Sequence, residues 1–161
     1  MSVQAFIGIG SNLADPVAQV RGAIDALDGL PRTRCLSASR LYRNPPMGPA
    51  GQPDYINAVA GLASELTAHA LLAALQGLEA AAGRDRSGQR WGPRPLDLDL
   101  LIYGEQRIDD AALTVPHPGL ASRAFVLHPL AEIAPTLSVP GLGPVSTLLA
   151  HVGAGDLMAV E

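Results

Sequence analysis

Asp97 and Asp99 stand in the run RWGPRPLDLDLLIY, residues 90–103, where they alternate with Leu96, Leu98 and Leu100. Strict alternation predicts a β-strand with one buried face, and it puts the two carboxylates on the same side, roughly 6.6 Å apart along the chain. So placed, they repel each other unless something positive sits over them. Two such carboxylates can hold one divalent cation between them or bridge a pair. Hard oxygen ligands on a partly open site suit Mg²⁺, which keeps waters and takes further ligands from phosphates. The alternative is that both aspartates merely face solvent, since D-x-D alone is a weak signal. The loop that feeds the strand adds weight to the first reading. Arg84, Arg86, Arg90 and Arg94 all fall within residues 84–95. Guanidinium groups beside paired carboxylates are the expected make-up of a site for metal-bound polyphosphate. Trp91 is the single tryptophan. Its polar, glycine-flanked setting is an odd place for a core anchor, which favours ligand contact or loop closure, with Gly88 and Gly92 allowing lid motion.

A second wall is suggested by residues 44–54, NPPMGPAGQPD, whose four prolines and two glycines make a long shaped loop. Rigid prolines hold backbone amides and carbonyls where they can read the edge of a flat heterocycle. Tyr55 and Asn57 follow on one strand face, an aromatic surface beside an amide with donors and an acceptor. They could equally be a core-packed tyrosine and a turn asparagine. GIGSN at 8–12 lacks the full dinucleotide fingerprint and reads as a tight strand-to-loop turn. His117, between Pro116 and Pro118, could donate to a phosphate or be structural. No Ser, Cys or His arrangement forms a triad. All eleven basic residues are arginine. A Walker A loop and a Schiff-base lysine are therefore excluded, and any phosphate must be held by arginine, backbone amides or metal.

The elements that must position these groups follow from periodicity and punctuation. Residues 3–9 read as a buried strand. Asp15 and Pro16 open a helix whose stripe is Val17, Val20, Ile24 and Leu27, with Gly29 as its stop. Residues 33–43 and 55–63 read as strands. Thr67 caps a second helix with Leu71, Leu75, Leu78 and Ala82 on its core face. The aspartate strand covers 96–103, a hairpin and short strand 104–116, a helix interrupted near Pro129 lies in 120–134, and a last short helix in 145–152. The order βαββαβ predicts an α+β, ferredoxin-like core: a mainly antiparallel sheet with helices packed on it, in one domain over residues 1–161. With 161 residues, 48% hydrophobic, the chain is long enough for a proper core. A net charge of −4 makes nucleic acid an unattractive partner. The lone Cys35 reads as a small core residue in a reduced, cytoplasmic protein. Neither a signal peptide nor a membrane span is expected.

With these pieces in order, the sequence resembles the hydroxymethyldihydropterin pyrophosphokinase family of folate biosynthesis. The likeness runs from IGSNL at 9–13 to LAEIAP at 130–135 and is strongest in YRNPPMGP, QPDYINA, GRDRSGQRWGPRPLDLDLLIYG and LTVPHPGLASRAFVLHPL. It implies transfer of pyrophosphate from ATP to the hydroxymethyl oxygen of the pterin, with AMP leaving. Asp97 and Asp99 would be the ligands of two Mg²⁺ ions, and Arg84 and Arg94 would contact the phosphates and act in closure and release. Gln76, His117 and Arg123 match ATP-contacting positions, and Glu79 matches a supporting acid. Tyr55 and Phe125 would sandwich the pterin, while Asn57 and backbone groups of Asn44, Pro45 and Met47 would bond its edge. Trp91 would ride on the lid, and a monomer is the family's habit. Ser87, Ala112 and Pro118 depart from the family pattern, where a lysine, an arginine and an aromatic are expected. Two rivals remain: another metal-dependent nucleotidyl- or phosphoryl-transferase on the same kind of sheet, and a regulatory module that binds a small ligand without turnover.

Overall fold

The computed structural model describes residues 2–13, 15–45, 54–82, 96–153, 155 and 157–160. In chain order these form β1 (Val3–Ser11), α1 (Pro16–Asp28), β2 (Thr33–Ala38), β3 (Tyr42–Asn44), β4 (Tyr55–Ser64), α2 (Ala68–Ala81) and β5 (Asp97–Tyr103). The short pair β6 (Ile108–Asp109) and β7 (Thr114–Val115) comes next, then a 3₁₀ turn at Leu120–Ser122 and α3 (Ala124–Ile133). The hairpin β8 (Ser138–Val139) and β9 (Gly143–Pro144), α4 (Val145–Val152) and β10 (Met158–Ala159) complete the described chain.

Both predicted helix starts are capped as the sequence indicates. Asp15 accepts from the amide of Ala18 with Pro16 opening α1, and the Thr67 hydroxyl accepts from the amide of Ala70 at 3.2 Å. The main sheet runs β10-β3-β4-β1-β5, with β2 also pairing β4, and all its pairings are antiparallel. β1 is central: Gly10 sits opposite Asn57 of β4 on one side and Asp97 of β5 on the other.

Alternation along the strands splits the core in two. Ala5, Ile7 and Ile9 of β1 join Ala58, Ala60, Leu62, Leu98 and Leu100 beneath α1 and α2, which contribute Val20, Ala23, Leu27, Leu71 and Leu75. Phe6, Val59 and Leu101 face the other way, beneath Val126, Leu127 and Leu130 of α3 and Val145 of α4. The sheet is thus a middle layer with a helix pair on each side.

Three expectations about the elements are corrected. The strand expected over 33–43 is two strands: β2 ends at Ala38 and β3 starts at Tyr42. Ser39 bridges the break, its amide donating to Val59 O and its hydroxyl accepting from Val59 N, so the pairing with β4 survives through a side chain. GIGSN is not a turn at its start, because β1 runs on to Ser11 and both glycines pair in the sheet. Pro129 does not interrupt its helix. α3 continues to Ile133 with Pro129 buried inside it, because surrounding apolar contacts outweigh one missing backbone bond. β10 beside β3 was not foreseen in a two-residue strand so far along the chain.

Candidate active site

Among the described residues, one end of the sheet face beneath α3 is left uncovered, and a cleft of about 250 Å³ opens there. Its floor is made by Gly8, Ile9 and Gly10 of β1 and Ala58 of β4. Ile9 and Ala58 send their side chains into the opposite core, so they offer backbone. Gly8 lies opposite Asp99 and Gly10 opposite Asp97. Two residues without side chains therefore stand beside the two carboxylates, and that is why space exists over the strands at this point. The demand differs at the two. A Cβ on Gly10 would come within 2.9 Å of Asn57 Oδ1, whereas one on Gly8 would meet only Leu101 side-chain atoms at 3.4 Å.

Around this floor stand Asn44, Tyr55 and Asn57 from β3 and β4, Asp97 and Asp99 from β5, and Arg123 and Phe125 from the start of α3. Seven residues singled out in the sequence thus converge on one void, although they are spread from position 44 to position 125. The Asn57 amide donates to Asn44 Oδ1, and the Asn44 amide donates to Pro45 O at 3.2 Å. This chain of amides runs along one wall and fixes which polar edges face the cleft. The Arg123 guanidinium lies 5.7 Å from the Phe125 ring centre and packs on Gly119, where a Cβ would come within 2.6 Å of it.

His117 is not among the lining residues but stands beside one of them, Asp99. Its Nδ1 accepts from the Gly119 amide at 3.0 Å, so the proton of the neutral ring is on Nε2, which lies 3.9 Å from Asp99 Oδ1. Burial pushes the imidazole below its usual range and Arg123 pushes the same way, while Asp99 pulls upward and loses. The ring is a neutral donor facing the carboxylate side. It is held there by its own amide, which bonds Leu101 O at 2.9 Å.

Glu79 proves to be more than a generic acid. It is 6% exposed on α2, and its Oε2 accepts the Leu98 amide at 2.8 Å. Leu98 stands between the two aspartates, so a helix carboxylate clamps the free edge of the aspartate strand. Gln76 is on the exposed side of α2 and is not among the lining residues. Arg84, Trp91, Arg94 and Met47 lie outside the described residues. Sequence reasoning missed Gly8, Gly10 and Val126. The signal available for the glycines was their period of two, which matches that of Asp97 and Asp99.

A family model for 7,8-dihydro-6-hydroxymethylpterin-pyrophosphokinase (HPPK) matches residues 6–135. The chain is 47% identical over 150 residues to the 2-amino-4-hydroxy-6-hydroxymethyldihydropteridine pyrophosphokinase of Pseudomonas aeruginosa, covering 93% of this chain and 92% of that one. It is 43% identical over 147 residues to the Haemophilus influenzae protein of the same name, covering 91% of both. Among solved structures, the wild-type HPPK-DHPS of Plasmodium falciparum with pteroate superposes with a TM-score of 0.74 at 10% identity. That match covers 94% of this chain and 42% of the other, so this chain spans less than half the length of that structure, and the likeness speaks for the fold alone. Matched across most of its length by the family model and by near full-length relatives, the chain belongs to the 7,8-dihydro-6-hydroxymethylpterin-pyrophosphokinase family.

Proposed function

We propose that this protein transfers pyrophosphate from ATP to the hydroxymethyl group of 6-hydroxymethyl-7,8-dihydropterin, giving AMP and the pterin diphosphate, in folate biosynthesis. The observation that carries the reading is one cleft with two unlike sides: a carboxylate pair on β5 and an aromatic and amide wall from β3, β4 and α3. We also read the five principal strands as the ferredoxin-like order, with β2 and β3 together taking the place of its second strand.

The pterin ring would lie between Tyr55 and Phe125, whose faces offer offset stacking, with Asn57 and Asn44 meeting its polar edge. The donor set on β5 fits Mg²⁺. Among the described residues no group of three or more His, Cys, Asp or Glu converges, which leaves two carboxylates and open positions for phosphate oxygens and water. When bound, two Mg²⁺ ions would neutralise charge on the triphosphate and hold attacking and leaving oxygens in line. The protein's own part is placement and charge. Asp97 and Asp99 fix where the metal-bound triphosphate lies. Arg123, with Arg84 and Arg94 from the arginine loop, supplies positive charge to phosphate oxygens. His117, neutral with its proton on Nε2, offers a hydrogen bond without adding charge. Gly8 and Gly10 let the substrates approach the sheet backbone.

The test is a product assay with the protein, ATP, Mg²⁺ and hydroxymethyldihydropterin, followed by separation of nucleotides. AMP together with a pterin diphosphate, formed only when all components are present, is the expected outcome. ADP would mean single phosphoryl transfer and would refute the reaction. Omission of Mg²⁺ should abolish turnover, and undiminished activity in a chelator would remove the metal from the reading.

A further inference from the structure

Glu132 lies near the C-terminal end of α3, away from the cleft, yet it gathers three polar contacts. Its Oε2 accepts the backbone amide of Arg40 at 2.8 Å. Its Oε1 accepts the Tyr42 hydroxyl and stands 3.6 Å from Arg40 Nε. The Arg40 amide falls in the break between β2 and β3, where no strand partner takes it, so α3 supplies the acceptor. Tyr42 is 7% exposed, and its hydroxyl is kept protonated, first by burial and then by the neighbouring carboxylate, so it remains a donor. The Arg40 guanidinium covers the Tyr42 ring at 5.7 Å. One side chain therefore ties the end of α3 to the start of β3.

Both tied elements carry residues that line the cleft, Phe125 on α3 and Asn44 on β3. Phe125 is seven residues before Glu132 on α3, two helical turns and the same face, about 10.5 Å along the axis. Asn44 is two residues after Tyr42, on the same face of β3, roughly 6.6 Å along the strand. Fixing Glu132 on Tyr42 thus fixes the spacing of Phe125 from the Asn44 and Asn57 wall. On the phosphate side, Arg123 heads the same helix but also packs on Gly119, and the His117 amide bonds Leu101 O of β5, contacts in which Glu132 takes no part.

We propose that Glu132 is a positioning residue for the pterin side of the cleft: with Tyr42 and the Arg40 amide it forms a latch that sets the gap between Phe125 and the asparagine wall. This rests on the reading of that cleft as the pterin site. The test measures binding of 6-hydroxymethylpterin by calorimetry, with Mg²⁺ and a non-hydrolysable ATP analogue saturating, and binding of the analogue alone. Glu132→Ala should weaken pterin binding about tenfold, since a misplacement near 1 Å can cost up to a hundredfold. Binding of the analogue should stay within about twofold, because the contacts of Glu132 are to Arg40 and Tyr42 and the aspartates and His117 stand on other elements. Glu132→Gln should restore pterin binding to within about threefold, because its oxygen can accept the Arg40 amide while its nitrogen donates to the Tyr42 oxygen. Tyr42→Phe, which keeps the buried ring, should show the same selective loss and serves if Glu132→Ala does not fold. Equal weakening of both ligands, or loss of thermal stability with unchanged pterin affinity, would overturn the latch. A wild-type protein that binds no pterin would overturn the reading of the cleft and the latch with it. Normal wild-type binding with unaltered variants would overturn the latch alone.

Discussion

The two faces of the sheet are built from the same strands and end differently. Beneath α1 and α2 the surface is filled by side chains, Ala5, Ile7 and Ile9 of β1 meeting leucines of β5 and α2, with buried Ser11 and Ser64 at its ends. Beneath α3 and α4 the cover stops partway. Along β1 the alternate residues on that face run Phe6, Gly8 and Gly10: one residue packs and the next two make room. In this protein the cleft exists where burial is withheld, and the closed face carries the stability that the open one forgoes.

That contrast predicts that substitutions on the two faces separate activity from stability. The largest effect should come from Asp97→Ala, with a fall in turnover on the order of 10³-fold, the scale of losing a group that manages transition-state charge. Its melting temperature should hardly move, and near-normal turnover would sink the carboxylate's role. Leu75→Ala is the mirror case. Leu75 is 0% exposed on α2, and its truncation should destabilise by about 3 kcal/mol in denaturant titration. Turnover per folded molecule should be unaltered at moderate temperature.

Glu79 is where the contrast is expected to break, because it reaches from the closed-face helix to the strand that bears both aspartates. Glu79→Ala leaves a buried amide without its acceptor, at a cost of about 1–3 kcal/mol. Both stability and turnover should fall together, and loss of only one would show that the clamp does not couple the layers. A finer test compares the two floor glycines. Gly10→Ala should raise the pterin KM about tenfold by pushing on Asn57, of the order expected when a positioning group shifts by a fraction of an ångström. Gly8→Ala also adds a methyl to the floor but meets its nearest atoms, those of the Leu101 side chain, at 3.4 Å, so it should raise the KM clearly less than Gly10→Ala. Equal effects would mean that Asn57 does not depend on the bare backbone beneath it.

The smallest effect lies outside both faces. Asp110 accepts from the amides of Leu113 and Ala112 and from His69, and these bonds hold its carboxyl below the usual range. Its contribution is fully present above the unfolded carboxylate value of about 4 and is lost as pH falls through the lower folded value. Asp110→Asn should therefore lower stability slightly at neutral pH and converge on the wild type in acid, which flattens the acid limb of a stability-versus-pH curve. A steeper acid limb would contradict the assignment.

Much of this was legible in the sequence, for identifiable reasons. Asp15 with Pro16 and Thr67 announce helix starts through local chemistry, and Asp97 and Asp99 declare a shared face through a period of two. The family likeness pointed to Asn44, Tyr55, Asn57, Arg123 and Phe125, which the fold then brings around one cleft. What resisted reading depends on contacts distant in sequence. Pro129 inside α3 is tolerated because of tertiary packing, not propensity. The break at Ser39–Leu41 depends on a serine hydroxyl answering Val59 and on an acid 92 residues away answering Arg40. Buried Glu79, on a helix face that reads as apolar, makes sense only once Leu98 is seen beside it.

The register of the central strand also has a consequence in time. Gly10 meets Asn57 once α1, β2 and β3 have been made, but it meets Asp97 only when a strand 87 residues downstream docks on its other edge. Pairings that distant close large loops and form slowly. During vectorial synthesis the asparagine wall can therefore assemble while the acidic strand is still being made. Tyr55 and Asn57 thus precede the carboxylates, while Phe125, the ring's other face, follows them. A nascent chain is unable to do chemistry until the acidic strand and the head of α3 have both emerged and docked.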